Sequence, residues 1–222
     1  MKGRMMRKIV AELFGSFALV FAGTGAIVVN DLRGSVTHVG IALTFGLIVL
    51  ALIYALGDVS GAHFNPAVTL AFLAARRFSL RSVGPYILSQ CAGAIVASLV
   101  LRMLFPDHTG LGATRPAGSP WQSFVLEFIL TLLLMVVILC VSTGAKEKGI
   151  MAGVAVGSVI ALEALFAGPV CGASMNPARS LAPALMSGNF DNLWIYLTAP
   201  IAGALTAVPL CGFMLDPAEK KQ

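Results

Sequence analysis

Charge is what this chain has least of. Of its 222 residues only 11% are charged, against 58% hydrophobic, where an ordinary soluble domain carries about a quarter charged residues. So little polar material cannot cover a water-facing surface, and a soluble enzyme of this length is excluded. Histidine is scarce as well: His38, His63 and His108 have no companion ligands at metal spacing, so neither a metal nor a cofactor is expected. The four cysteines, Cys91, Cys140, Cys171 and Cys211, show no short paired spacing and give neither a disulfide framework nor a zinc pattern. No nucleophile–base pair stands out, which argues against a membrane-embedded enzyme.

What the chain does have is long apolar runs, at about residues 9–29, 39–56, 85–105, 121–141, 150–167 and 193–215. Six spans of about 20 residues use about 120 residues and leave about 100 for loops and tails. The separators carry charge or turn chemistry: Asn30-Asp31, Gly57-Asp58, Arg76-Arg77, Pro106-Asp107 and Lys146-Glu147-Lys148. The first run is too long for a signal-peptide core, so it reads as a retained span. The polar stretch from Pro106 to Pro120 lacks helical periodicity and reads as an outside loop joining two halves, approximately 1–110 and 118–222 of a single domain.

The net charge of +5 invites a nucleic-acid reading that its placement removes. Lys2, Arg4, Arg7, Lys8, Arg76, Arg77, Arg81, Lys146, Lys148, Lys220 and Lys221 all fall on alternate loops and the two tails. Excess Lys and Arg mark the cytoplasmic side. Both termini are therefore expected in the cytoplasm, which an even number of spans requires.

The halves repeat. Gly61-Ala62-His63-Phe64-Asn65-Pro66-Ala67-Val68-Thr69-Leu70 matches Gly172-Ala173-Ser174-Met175-Asn176-Pro177-Ala178-Arg179-Ser180-Leu181 at an offset of 111 residues. Glu12 answers Glu127, and Tyr86, Gly93 and Ala94 answer Tyr196, Gly203 and Ala204. With three spans per half, the second half enters the membrane upside down, an arrangement that puts a working site at the midplane between the halves. Each Asn-Pro-Ala opens an apolar stretch of about ten residues, roughly half a span. Asn is a strong N-cap and Pro suits the first helical position, where its missing N–H is not needed. Two short helices should thus enter from opposite faces and meet at their N-termini. The non-helical backbone before each survives at membrane depth only beside a wet cavity.

These two Asn-Pro-Ala segments in inverted halves, with Arg179 three residues after the second Asn, resemble the aquaporin (major intrinsic protein) family, and the resemblance covers essentially the whole chain. It implies an all-α membrane protein, a right-handed bundle of six transmembrane helices plus two re-entrant half-helices, assembled as a homotetramer with one pore per subunit. On that resemblance Asn65, Pro66, Ala67, Asn176, Pro177 and Ala178 form the pore centre. Carbonyls of Gly61, Ala62, His63 and Phe64, and of Gly172, Ala173, Ser174 and Met175, form an acceptor ladder on either side. Each short helix carries about half a positive charge at its tip, which repels cations, and the Asn amides donate to passing oxygen atoms.

The family's outer constriction maps to Phe45, Ala164, Ala173 and Arg179. Phe45 and Arg179 match water-selective members, whereas those place His at the position of Ala164. The filter is therefore expected to be wider and more apolar. The glycerol-facilitator subfamily is a poor match, since it carries Asp where this chain has Ser180. The run Ala167–Leu181 and the Tyr196-Leu197 pair are similar to the plant nodulin-26-like group and its bacterial relatives. This implies water together with small neutral solutes such as glycerol, arsenous acid or boric acid; strict water selectivity is the alternative.

Other polar residues at membrane depth have more than one reading. Glu12 and Glu127 either accept hydrogen bonds from the loop before each half-helix or relay protons. Glu163 either anchors the second loop or accepts from Arg179. His63 either lines the pore structurally or gates it with pH, and Cys171 is either a reactive thiol or a buried hydrophobe. An inverted-repeat secondary transporter would need carboxylates facing the path, but the two repeated acids lie away from the Asn-Pro-Ala centre.

Overall fold

The computed structural model describes residues 2–142 and 150–214. The Lys146-Glu147-Lys148 separator and the lysines Lys220 and Lys221 lie outside them. The described residues form eight helices: α1 (Lys2–Arg33), α2 (Thr37–Ser60), α3 (Pro66–Ala74), α4 (Leu80–Leu104), α5 (Pro120–Val141), α6 (Ala152–Cys171), α7 (Pro177–Ser187) and α8 (Leu193–Met214). All but α3 and α7 are long and apolar enough to cross a membrane. A helix satisfies its own backbone, the condition for crossing hydrocarbon. The nine residues of α3 and eleven of α7 reach only about half-way through a core of about 30 Å.

The spans run past several of the boundaries read from sequence. Asn30-Asp31 does not end α1; Asn30 sits inside its last turn, its carbonyl accepting from Gly34 N at 2.7 Å and its Oδ1 from Thr37 N at 2.8 Å. Gly57-Asp58 does not end α2 either. That helix stops at Gly61, a left-handed C-cap with φ 90°, and α6 stops in the same way at Gly172, with φ 87°. The helix-ending signal is the glycine that enters left-handed backbone, not the polar dipeptide before it. Similarly, α4 begins upstream of Pro85, at Leu80.

Three helix pairs carry most of the packing: α1 with α4, α5 with α8, and α2 with α6. The first two are images of each other under the repeat, and the third pairs equivalent helices across it. Small residues let their backbones approach, as suits helices packed without a hydrophobic driving force. A Cβ on Gly93 would collide with the Leu13 carbonyl, and one on Gly203 with the Phe128 carbonyl. Gly46 and Gly157 face each other, a Cβ on either falling 2.5 or 2.6 Å from the other's carbonyl oxygen. The short helices interlock the halves: α3 packs more on α8 than on α4, and α7 more on α4 than on α8.

Because the atoms in the way at Gly93 and Gly203 are backbone, neither helix pair can absorb a methyl by rotating a side chain. Gly203→Ala should destabilise the protein by about 1–3 kcal/mol, the usual cost of overpacking. Thermal unfolding in detergent checks this. An unchanged melting temperature would mean that the two helices have room for a methyl group at this contact.

Candidate pore and filter

The two half-helices start in the same way. Asn65 Oδ1 accepts from Ala67 N at 2.8 Å, and Asn176 Oδ1 from Ala178 N at 3.0 Å and Arg179 N at 3.4 Å. Pro66 and Pro177 take the first helical position, and Ala67 and Ala178 follow, all buried. The amide nitrogens then cross over. Asn65 Nδ2 donates to the Met175 carbonyl at 2.7 Å, and Asn176 Nδ2 to the Phe64 carbonyl at 2.9 Å. The tips of α3 and α7 are therefore tied together, each cap bonded to the loop of the opposite half.

This changes the expected inventory of donors and acceptors. An amide nitrogen has two N–H groups, so one per Asn is committed and one is left for a passing oxygen. The Phe64 and Met175 carbonyls already accept from the caps. The carbonyls of Gly61, Ala62, His63, Gly172, Ala173 and Ser174 accept no hydrogen bond among the described residues. The loops owe this exposure of carbonyls to left-handed backbone at Ala62 (φ 51°), Phe64 (φ 48°), Ala173 (φ 40°) and Met175 (φ 52°), a conformation that costs a non-glycine residue about 1–2 kcal/mol.

Buried partners hold that backbone. Glu12 accepts from His63 N at 3.0 Å, Phe64 N at 2.8 Å, Ser60 Oγ at 2.7 Å and Gln90 Nε2 at 2.8 Å. Glu127 accepts from Ser174 N and Met175 N, both at 2.8 Å. The repeated tyrosines complete the frame: Tyr86 OH donates to the Ser60 carbonyl at 2.8 Å and Tyr196 OH to the Cys171 carbonyl at 2.7 Å. Each therefore satisfies the last carbonyl of the helix that leads into a loop. The spacing of these tyrosines was visible in the sequence; their task was not.

A narrow cavity runs past the Asn tips, lined by Ala62, His63, Phe64, Asn65, Ala173, Ser174, Met175, Asn176 and Arg179 together with apolar side chains of the spans. It offers about 60 Å³ to the centres of water-sized molecules, room for on the order of four waters in line. A second cavity, of about 420 Å³, adjoins it. Phe45, Ala164, Ala173 and Arg179 line both. The four mapped filter positions thus form the partition between a narrow passage and a vestibule. Gly172 lines only the vestibule, and Gly61 lines neither space.

Arg179 is 2% exposed. Its Nη1 donates to the Gly112 carbonyl at 2.7 Å, and its guanidinium carbon lies 5.2 Å from the centre of the Phe45 ring. Gly112 escaped the sequence reading because the 106–119 connection has no periodicity; the one available signal was its Gly-Leu-Gly run. Gly23 leaves room for the Phe45 ring, since a Cβ there would overlap it.

Both sequence readings of Glu163 need correction, and of the two for Cys171 the structure favours the buried hydrophobe. Glu163 neither anchors the second loop nor accepts from Arg179: it is fully buried in α6, and neither carboxylate oxygen has a partner among the described residues. Cys171 is fully buried, bonds to the Ala167 carbonyl and lines neither cavity. Its place behind the wall argues against a reactive thiol at the filter. His63 lines the narrow passage, stacks on Phe72 and lies 3.1 Å from Thr69 Oγ1 through Nδ1. No cluster of three or more potential metal ligands occurs among the described residues.

Residues 1–210 match the major intrinsic protein family. The chain is 50% identical over 202 residues to rice aquaporin NIP1-1, covering 90% of this chain and 71% of that one. It is 47% identical over 202 residues to soybean nodulin-26, covering 90% and 74%. Among solved structures, the aquaglyceroporin of Plasmodium falciparum superposes with a TM-score of 0.79 at 26% identity, over 94% of this chain and 99% of that one. This chain belongs to the major intrinsic protein family. It is an integral membrane channel and not an enzyme.

Removing the Glu127 side chain would leave the Ser174 and Met175 N–H groups buried without partners, at about 1–3 kcal/mol each. Glu127→Ala should therefore lower the melting temperature and abolish most water flux in proteoliposomes, while Glu127→Gln, which keeps one acceptor oxygen, should lose less. Wild-type melting and flux in the alanine variant would show that the carboxylate does not hold the loop.

Proposed function

We propose that this chain is a passive channel for water and for small uncharged polyhydroxylated solutes, glycerol and metalloid hydroxides such as arsenous or boric acid among them, and that it excludes protons and ions. The observation that carries the reading is the composition of the partition. Of the four side chains between passage and vestibule, two are alanine, Ala164 and Ala173, and only one is polar, Arg179. A polyol needs an apolar wall for its carbon skeleton and hydrogen-bonding groups on the other side for its hydroxyls. Phe45 with the two alanines supplies the wall. Arg179 and the unengaged loop carbonyls supply the donors and acceptors, the ingredients of selectivity in a pore of this kind. The likeness to a protein named as an aquaglyceroporin agrees with this wider filter.

Exclusion of ions follows from the same parts. Two helix tips of about half a positive charge each meet beside the passage, and the Arg179 guanidinium stands at its mouth. A cation crosses that field at a high cost, and a neutral molecule does not. Water held by the free N–H groups of Asn65 and Asn176 presents its oxygen to both, which interrupts proton relay at that point.

The working unit in this reading is a homotetramer with one pore per subunit, in the cell's inner or plasma membrane, with both termini in the cytoplasm. The basic residues Arg4, Arg7, Lys8, Arg76, Arg77 and Arg81 support that orientation.

Proteoliposomes in a stopped-flow instrument test the reading. They should shrink in a sucrose gradient and re-swell in glycerol or arsenous acid; water flux with complete solute exclusion would contradict the wider filter. Ala164→His adds an imidazole to the partition. At about 1–3 kcal/mol of steric discrimination it should cut solute flux roughly ten- to two-hundredfold with water flux retained. Unchanged solute flux would place the narrowest ring elsewhere.

A further inference from the structure

The cation of the filter is aimed by a backbone atom. Among the described residues, the Gly112 carbonyl is the one hydrogen-bond acceptor of the Arg179 guanidinium, and Arg179 Nε is buried without a partner. Where that carbonyl points therefore decides where the charge stands. Gly112 belongs to a tight turn closed by Ala113 N donating to the Gly110 carbonyl at 2.9 Å. Its two central residues, Leu111 (φ 49°) and Gly112 (φ 71°), are both left-handed, the pattern of a type I′ turn. Glycine takes this conformation freely, but a residue with a Cβ resists it, so Leu111 needs holding. The turn also has no slack against α1: a Cβ on Gly112 would fall 3.0 Å from Thr24 Cα and 3.1 Å from its carbonyl oxygen.

His108 supplies the hold. Its Nδ1 accepts from Leu111 N at 2.9 Å, and its Nε2 lies 3.1 Å from Oδ2 of Asp31 in the last turn of α1. A ring nitrogen that accepts carries no proton, so the bond to Leu111 assigns the proton to Nε2, which donates to Asp31. Asp31 thus fixes the tautomer that leaves Nδ1 bare. The imidazole side chain is 10% exposed and Leu111 is fully buried, so water is a poor substitute for the bond between them. We propose that His108, keyed by Asp31, is a positioning residue of the filter: it holds the Leu111-Gly112 turn whose carbonyl aims Arg179. Without that hold the Gly112 carbonyl drifts, and the guanidinium turns to the unengaged carbonyls of Ala173 and Ser174 beside the narrow passage. Solutes with a carbon skeleton then lose room before water does. This role rests on the filter reading above, since His108 acts only through Arg179.

Water and glycerol permeabilities of proteoliposomes, measured on one preparation of each variant with a monodisperse elution profile, test it. The glycerol-to-water ratio should fall about fivefold in His108→Ala and in His108→Gln, the scale of one lost hydrogen bond. Gln reaches only the Nε2 side of the ring, whereas His108→Asn puts an acceptor near the Nδ1 position and should recover most of the ratio. Asp31→Ala, at a half-exposed site that tolerates truncation, should give a smaller fall in the same direction. A merely structural role would lower both permeabilities together and leave the ratio alone. An unchanged ratio in both alanine variants, or an asparagine variant no better than alanine, would overturn the proposal. If wild-type vesicles exclude glycerol, the wider-filter reading fails by itself and water flux carries the test. His108→Ala should then raise the activation energy of water flux, and should not do so in an Arg179→Val background. No rise in the first, or an equal rise in the second, would overturn the proposal.

Discussion

The structure turns on one constraint: backbone that is not helical must find its hydrogen-bond partners inside the protein or in a water-filled cavity when it lies at membrane depth. Each re-entrant loop meets it with the same set of groups. A buried carboxylate, Glu12 or Glu127, receives two loop N–H groups. A buried phenol, Tyr86 or Tyr196, satisfies the last carbonyl of the preceding helix. An asparagine caps its own half-helix and bonds across to the other loop. With the N–H groups so engaged, the remaining carbonyls stay free to face water. The passage is the space where the loops meet their outstanding hydrogen-bonding needs with solvent.

If the repeat builds the scaffold, departures from it build the filter. At the offset of 111 residues, Phe45 answers Val156, Ala164 answers Ile53, Ala173 answers Ala62, and Arg179 answers Val68; all eight line the narrow passage. One ring holds an aromatic residue, two alanines and a cation. Its image holds three branched aliphatic side chains and an alanine. The inner ring is therefore wholly apolar, and the charge that discriminates against ions stands on one side only. That cation depends on a feature with no image in the other half, the Gly112 carbonyl of the connection between halves.

Much of this was written in the local sequence. Asn-Pro-Ala states a cap and a helix start within three residues, and the length of the following apolar stretch states that the helix stops half-way. The carboxylate pair could be read because an ionisable residue inside a span is costly and so marks a task. What could not be read are contacts between distant segments. Nothing near Gly112 announces that its carbonyl holds Arg179, and nothing near Tyr86 names Ser60 as its partner. Span ends were misplaced at Asn30 and Gly57 because polar residues are tolerated in a final helical turn, where head groups or water can meet them. Cys171 looked close to the filter along the chain, yet its side chain points behind the wall. Glu163 remains a buried carboxylate without a partner among the described residues, and neither sequence reading of it survives.

The account claims a continuous wet path that carries neutral molecules and interrupts proton relay at two tethered asparagines. Water and proton flux measured on one preparation of proteoliposomes, the second with a trapped pH dye, test that claim most directly. Water permeability should rise well above that of empty vesicles with a low activation energy, while proton entry stays at the empty-vesicle level. Proton entry that rises in step with water flux, or transport that saturates and runs on a proton gradient, would contradict it.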